Sequence, residues 1–242
     1  MKYGSITTGI IADGLVFNMD AANRASYPKT GTTATDTINN INGTLNSTTF
    51  ISTTGSGIFD FDGTDDYIGC ADTTYLDGIT QMSVSVWFNA RIALGGRQGL
   101  IGDMQSANYG AGNGHFAITA KDASGSNYSF RIYFIGTDGS QHSINIDNRP
   151  FTAGQLYNLV MIYNAGTVNF YVDGSLAPST IHAGAPIPTS FVTLTSNKPL
   201  EIGRWAGHVE WDGKIANSQI YNRALSSTEV LHNYNALKSR FE

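Results

Sequence analysis

Two short stretches concentrate the groups that chemistry could use. In HVEWDG, residues 208–213, His208, Glu210 and Asp212 alternate. An extended strand would put all three on one face, where they could hold a metal or exchange protons. In FDFDGTDDYI, residues 59–68, four aspartates stand among two phenylalanines and a tyrosine, a supply of the hard oxygen donors that a divalent cation takes. Each reading meets an objection. Glycosidic cleavage needs two carboxylates roughly 5 to 10 Å apart across the scissile bond, and Glu210 with Asp212 is the nearest approach to such a pair, the other glutamates being Glu201, Glu229 and Glu242. In the aspartate stretch, alternation sends Phe59 and Phe61 to one face and Asp60 and Asp62 to the other, with a turn over 63–66 before Tyr67 and Ile68 enter the next strand. Aspartates bond nearby backbone amides in such turns. A calcium loop of the EF-hand kind would need further ligands at set positions and a glutamate at the twelfth; the segment has neither, so the expectation is a structural turn. The five histidines lack zincin spacing, no serine lies in a nucleophile elbow, and the glycines of YGAGNGHF lack the strand, helix and acid of a nucleotide loop.

The elements that must position these groups read as strands. Charged residues are only 14% of the 242, while Gly, Thr, Ser and Asn are abundant, as suits a β protein with many turns. Lysine and arginine total 14 against 19 acidic residues and are scattered, which argues against a track for nucleic acid. No window carries the roughly 18 apolar residues of a membrane span, and the start MKYGSITTGIIADGLVF lacks the apolar core of a secretory signal. Cys70, without a partner, reads as a small buried residue.

Alternation marks GLVFNMDA (14–21), then MSVSVWF (82–88), with Met82, Val84, Val86 and Phe88 on one face and Ser83, Ser85 and Trp87 on the other. HFAITA, YSFRIYFIG and QHSINI continue the period as an antiparallel meander. LYNLVMIYNAGTVNFYVDG (156–174) gives two strands around a turn at Asn164, Ala165 and Gly166, apolar on both faces, as in stacked sheets. Residues 22–50, rich in Pro, Gly and Asn, read as a long surface loop, and 93–115 as a variable rim loop. One helix is expected: Ser226 and Glu229 form a capping box, and Val230, Leu231, Tyr234 and Leu237 an apolar stripe ending near Lys238 and Arg240, to pack on an edge or rim of the sandwich. Residues 1–13 read as an N-terminal arm and 14–242 as a single domain.

FDFDGTDDYI, MSVSVWF, YNLVMIYNAGTVNFYVDG and PLEIGRWAGHVEWDGKIANSQIYNRALSSTEVLHNY, in that order, resemble the laminin-G-like and pentraxin-like group of the concanavalin A-like lectin and glucanase superfamily. The resemblance spans almost the whole chain and implies an all-β jelly-roll sandwich of two antiparallel sheets with a short C-terminal helix. Hydrolases of that superfamily place their acids on one strand in a Glu, Asp, Glu pattern. This chain lacks the pattern, and Asp212–Gly213 matches the family's structural turn before KIANSQIY, so catalysis is not expected. For some relatives the resemblance implies calcium between rim loops; the oxygen donors near strand ends here are Asp103, Asn108, Asn113 and Asp138, read first as ordinary loop residues, with no cofactor required. Trp87 and Trp211 read as core. For sugar contact the loop set is Asn108, Tyr109, His115, Trp205 and His208, an aromatic platform beside hydroxyl-bonding groups.

The opening GLVFNMDAANRASYPKTGTT with NNINGTL also resembles laminin-G-like modules of tailed-phage particle proteins. That resemblance implies a non-catalytic structural component, a capsid decoration or part of a tail or fibre, made in the host cytoplasm without a signal peptide and residing in the virion. Its expected partners are other phage structural proteins and copies of itself. The alternative is a carbohydrate- or receptor-binding, lectin-like module on a surface glycan; a glycoside hydrolase comes third.

Overall fold

In strand Gln81–Ala90, Met82, Val84, Val86 and Phe88 point into the main core, as their spacing predicts. Every strand pairing is antiparallel, in a computed structural model that describes residues 9–53, 56–71, 73–91, 97–104, 112–124, 127–147, 151–194, 198–206 and 209–240. Two large sheets face each other in a concanavalin A-like jelly roll. The eight-stranded sheet runs Ser175–Ala177, Thr167–Val172, Leu156–Asn164, Gln81–Ala90, Asp212–Tyr221, Ser56–Asp62, Thr49–Thr53, and Leu15–Asp20 also joins Asp212–Tyr221. The ten-stranded sheet runs Ser179–Ala183, Gln141–Ile146, Asn127–Ile135, Phe116–Ser124, Gln98–Gly102, Leu200–Ile202, Tyr67–Cys70, Asn42–Asn46, Thr33–Thr35, with Phe151–Thr152 paired to Asn127–Ile135. Among the described residues no helix is long and apolar enough to cross a membrane.

Aromatic rings lock the two sheets together. Phe88 of one meets Phe130 of the other edge-on at 5.1 Å, and Phe130 meets Phe151 at 4.9 Å and 88°. Such pairs add about 0.5–1.5 kcal/mol each beyond the area they bury. Trp211 is in this core and fully buried, as expected; Trp87 is buried as well, at 3% exposure, but in a separate cluster on the opposite face of its strand beneath the helix. Cys70 is buried and free, and burial pushes its thiol up to about 12.

The capping box forms as the sequence predicts: the Glu229 amide donates to Ser226 Oγ at 3.3 Å and the Ser226 amide to Glu229 Oε2 at 2.8 Å, opening helix Ser227–Lys238. The helix lies over the outer face of the eight-stranded sheet rather than on a rim. Val230 packs with Val160, Ile162 and Tyr221 there, and Tyr234 stacks on Trp87 at 5.5 Å with the planes 4° apart. The expected stripe also shifts: Leu231 is 47% exposed while Asn233 is buried, its amide donating to the Tyr221 hydroxyl at 3.0 Å and accepting from the Ile11 amide at 2.8 Å. A polar residue that finds two partners can hold the buried face. Arg240 then clamps Asp20 through two bonds of 2.7 and 2.6 Å, tying the turn after the helix to strand Leu15–Asp20.

Two expected loops contain strands. Residues 22–50 include Thr33–Thr35, Asn42–Asn46 and the start of Thr49–Thr53, and the segment is organised by buried Asp36, whose carboxylate takes the amides of Asn18, Ile38 and Asn39. Residues 93–115 include Gln98–Gly102, with Leu100 and Ile101 in the core.

Candidate functional site

With the helix covering one outer face, the outer face of the ten-stranded sheet is where side chains gather around a cavity. In strand Asn127–Ile135 the even positions Tyr128, Phe130, Ile132 and Phe134 enter the core, which sends Arg131 and Tyr133 outward. In Gln141–Ile146, Ile144 and Ile146 enter it, sending Gln141 and Ser143 outward. The register sets Tyr133 opposite Ser143 and Arg131 opposite Asn145. His182 and Ala183 of the neighbouring edge strand and Arg97, just before Gln98–Gly102, complete a cavity of about 160 Å³ lined by Arg97, Arg131, Tyr133, Gln141, Ser143, His182 and Ala183.

A strand crossing backs the lining residue Tyr133. The hairpin of Arg204–Trp205 with Val209–Glu210 passes over Gly99, where any Cβ would overlap the backbone of Arg204 and Trp205. Glycine is needed there for close approach. The crossing lays Trp205 on Tyr133, ring centroids 5.5 Å apart, within a cluster that includes Met104, Ile135 and Ala206, and the Arg97 guanidinium stands 5.6 Å from the Tyr133 ring and 5.9 Å from that of Trp205. The local field is positive. The exposed His182 imidazole is held below its ordinary value, first by its slight burial and then by the charges of Arg131, Lys121 and Arg97.

The residues singled out from the sequence fall in several places. Asn108, Tyr109 and His208 lie outside the described residues. Trp205 stacks on Tyr133 without lining the cavity and is only 5% exposed, so it offers no open platform to a sugar face. His115 and Asp103 are brought together, and away from solvent: His115 Nδ1 lies 2.5 Å from Asp103 Oδ2 and Nε2 2.9 Å from Asp77 Oδ1, with both members of the first pair fully buried. Asp103 Oδ1 also accepts the amides of His115 and Phe116, and Asp77 Oδ1 that of Leu194. Burial pushes the imidazole's pKa down, but the two carboxylates outweigh it and raise the value. The expected rim donor Asp103 and sugar contact His115 thus tie neighbouring segments together inside the protein. Asp138 stays exposed, accepting the Ser140 amide at 2.9 Å with His142 Nε2 at 3.3 Å, and Asn113 is half-buried in a separate turn.

The acidic stretches resolve into turns and ion pairs. Arg91 bridges Asp212 at 2.5 Å and Asp60 at 2.7 Å, across paired strands. Burial raises the Asp212 carboxyl above its ordinary value against the pull of Arg91. Glu210 sits in the hairpin opposite Arg204. Around Gly63, at φ 78°, Asp66 accepts the Asp62 amide at 2.9 Å and Asp62 the Thr64 amide at 2.8 Å, the expected turn bonds. One oxygen from each of Asp62, Asp65 and Asp66 lies within 4.8 Å of the others, a set that could also hold a cation.

The lining residues Arg97, Arg131, Tyr133, Gln141, Ser143 and His182 were not among the expected site residues. Strand phase in YSFRIYFIG and QHSINI puts four of them on the non-core face; only the pairing register brings them together.

The fold has many solved relatives at low identity. Domain 4 of AbnA, a GH43 extracellular arabinanase from Geobacillus stearothermophilus, solved in complex with arabinotriose, matches with a TM-score of 0.59 and 17% identity over 90% of this chain and 96% of that one. The ligand-binding domain of botulinum neurotoxin serotype D, in complex with N-acetylneuraminic acid, matches at 0.64 and 14% over 92% of this chain and 51% of that one. Trypanosoma rangeli sialidase with the inhibitor DANA matches at 0.62 and 12% over 97% of this chain, which spans about a third of the enzyme, 34%. At such identities these likenesses carry the fold alone. Among curated protein sequences, none matches. A family model does match over residues 62–231, most of the chain, and by it the protein belongs to the concanavalin A-like lectin/glucanases superfamily.

Proposed function

We propose that this chain is a non-catalytic carbohydrate-binding module and that the cavity on the outer face of the ten-stranded sheet is its sugar site. The observation that carries the reading is the convergence of Arg131, Tyr133, Gln141, Ser143 and His182 on one cavity: a few hydrogen-bonding groups of different kinds beside an aromatic wall is the composition of a small-ligand site. At about 160 Å³ it is smaller than the roughly 300–1,000 Å³ of drug-sized pockets, and suits one sugar residue or its substituent rather than a buried oligosaccharide. Support comes also from the arabinanase domain and the toxin domain, whose structures contain arabinotriose and N-acetylneuraminic acid.

The non-catalytic part rests on the acids. Asp212 is engaged by Arg91, and Glu210 belongs to a short hairpin opposite Arg204. Glycan contact is placed ahead of a particle-building role, reversing the order expected from the sequence: the cavity favours it, and none of the relatives described above is a phage protein. A virion setting, with other phage proteins and further copies of the chain as partners, rests on the sequence resemblance alone.

The test is a glycan array probed with purified protein, beside Ala183→Trp, which fills the cavity from an exposed edge-strand position. Binding that disappears in this variant supports the reading. Binding that survives it, or no binding at all, overturns it. Turnover of any bound glycan, lost in Glu210→Gln, would overturn the non-catalytic part.

A further inference from the structure

Within this site one cation lacks an anion. Arg131 is only 6% exposed, and its Nε donates to the neutral side-chain oxygen of Asn145 at 2.8 Å. Four other arginines take carboxylates: Arg91 with Asp60 and Asp212, Arg204 with Glu201, Arg223 with Glu229, Arg240 with Asp20. Among the described residues no carboxylate pairs with Arg131. A buried guanidinium without a countercharge is costly, and its planar fork matches an oxyanion.

A second, independent observation lies beside it. Ser143 is 1% exposed, lines the same cavity, and its Oγ has no hydrogen-bond partner among the described residues. Buried hydroxyls are normally satisfied. Tyr133 pairs with Ser143 and Arg131 with Asn145, which makes Arg131 and Ser143 diagonal cross-strand neighbours, about 7–8 Å apart at the backbone and within reach of a shared ligand for a long side chain. A cation donor and a hydroxyl donor thus border one small volume, with Lys121 and Arg97 adding positive charge around it.

We infer that the site selects saccharides bearing an oxyanion, a carboxylate or a sulfate ester, seated between Arg131 and Ser143. The guanidinium supplies charge and direction, the serine hydroxyl a further donor, and Gln141 and Tyr133 border the sugar ring. The inference rests on the sugar-site reading and narrows it to a ligand class.

Isothermal titration with matched pairs tests it: sialyllactose against its methyl ester, oligogalacturonate against its methyl ester, and sulfated against desulfated chondroitin. The expected result is a preference of about tenfold or more for the charged member of at least one pair, weakening with added salt. The first two pairs read carboxylate recognition and the third sulfate. Arg131→Gln should abolish the preference. Because that variant alters a buried position, Ser143→Asp carries the test separately: it gives Arg131 a carboxylate within the chain, so it should raise the melting temperature while removing the preference. Equal binding within every pair, still lost in Ala183→Trp, overturns the oxyanion inference and leaves the sugar site standing. An unchanged preference in Ser143→Asp also overturns it. Failure of every saccharide to bind overturns both.

Discussion

The indole of Trp205 lies flat against the phenol ring of Tyr133, the planes 6° from parallel, although one residue belongs to the crossing hairpin and the other to the ten-stranded sheet beneath it. The stack exists because Gly99 lets the hairpin backbone come down onto the sheet. Gly99→Ala should lift the hairpin, cost about 1–3 kcal/mol as an overpacked contact does, and open the stack. Urea denaturation reads the first effect and indole fluorescence the second. An unchanged midpoint would show that the hairpin is not held down at Gly99.

The helix should be separable from the proposed sugar site, since they occupy opposite outer faces. Tyr234→Ala removes the ring stacked on Trp87, a loss of about 0.5–1.5 kcal/mol beyond the buried area. The expected outcome is a lower melting temperature and faster amide exchange in 227–238, with glycan affinity unaltered. A fall in affinity without a fall in stability would contradict the assignment of the site to the other sheet.

Acid should reveal the helix cap. Arg223, bonded to the Glu229 carboxylate at 2.7 Å, and then the Ser226 amide hold that group down at about 2, against 4.5 ordinarily. Because the folded-state value is depressed, the stabilisation is full above 4.5 and is lost as pH falls towards 2. Glu229→Gln should therefore cost about 1 kcal/mol at neutral pH and flatten the decline in stability between those two values. Parallel acid titrations of the two proteins would show that the group is not responsible.

The aspartate turn makes a different prediction. Burial, with the charges of Asp62, Asp65 and Asp60, raises the Asp66 carboxyl above its ordinary value, while the Asp62 amide it accepts works the other way. A raised folded-state value means the ionised form is disfavoured, and stability from this residue declines as pH rises through that value. Asp66→Asn keeps an acceptor for the Asp62 amide and removes the charge, so at neutral pH it should be neutral or stabilising by up to about 1 kcal/mol. A calcium-dependent rise in melting temperature, lost in this variant, would instead assign the three carboxylates to a cation.

What could be read from the chain follows the range of the interaction. Alternation in 82–88 and 156–174 revealed the faces directly, because one face always meets the other sheet, and Ser226 with Glu229 revealed the helix because a cap is local. Thr33–Thr35 and Asn42–Asn46 have too few large apolar residues to mark a period; they exist because they pair with each other and Asn42–Asn46 pairs with Tyr67–Cys70, while Asp36 takes the Ile38 and Asn39 amides in the turn between them. The apolar stripe of the helix says that something is covered, not what, so it fits an edge or rim as well as the outer face of a sheet. His115 drew attention as a surface residue, whereas Asp103 and Asp77, from separate segments, enclose it. The cavity depends on Tyr133 facing Ser143, a register that the loop between their strands sets.

Strand Asp212–Tyr221 borders two partners along one side: its first half pairs with Ser56–Asp62 and its second with Leu15–Asp20, while Gln81–Ala90 takes the other side. The earliest strand among the described residues and the latest are therefore laid down as neighbours. During synthesis Leu15–Asp20 has no sheet to join until residues 217–221 have left the ribosome, so the eight-stranded layer closes late, through contacts of long sequence separation that are slow to form. A nascent chain halted before residue 212 would present three bare strand edges at once.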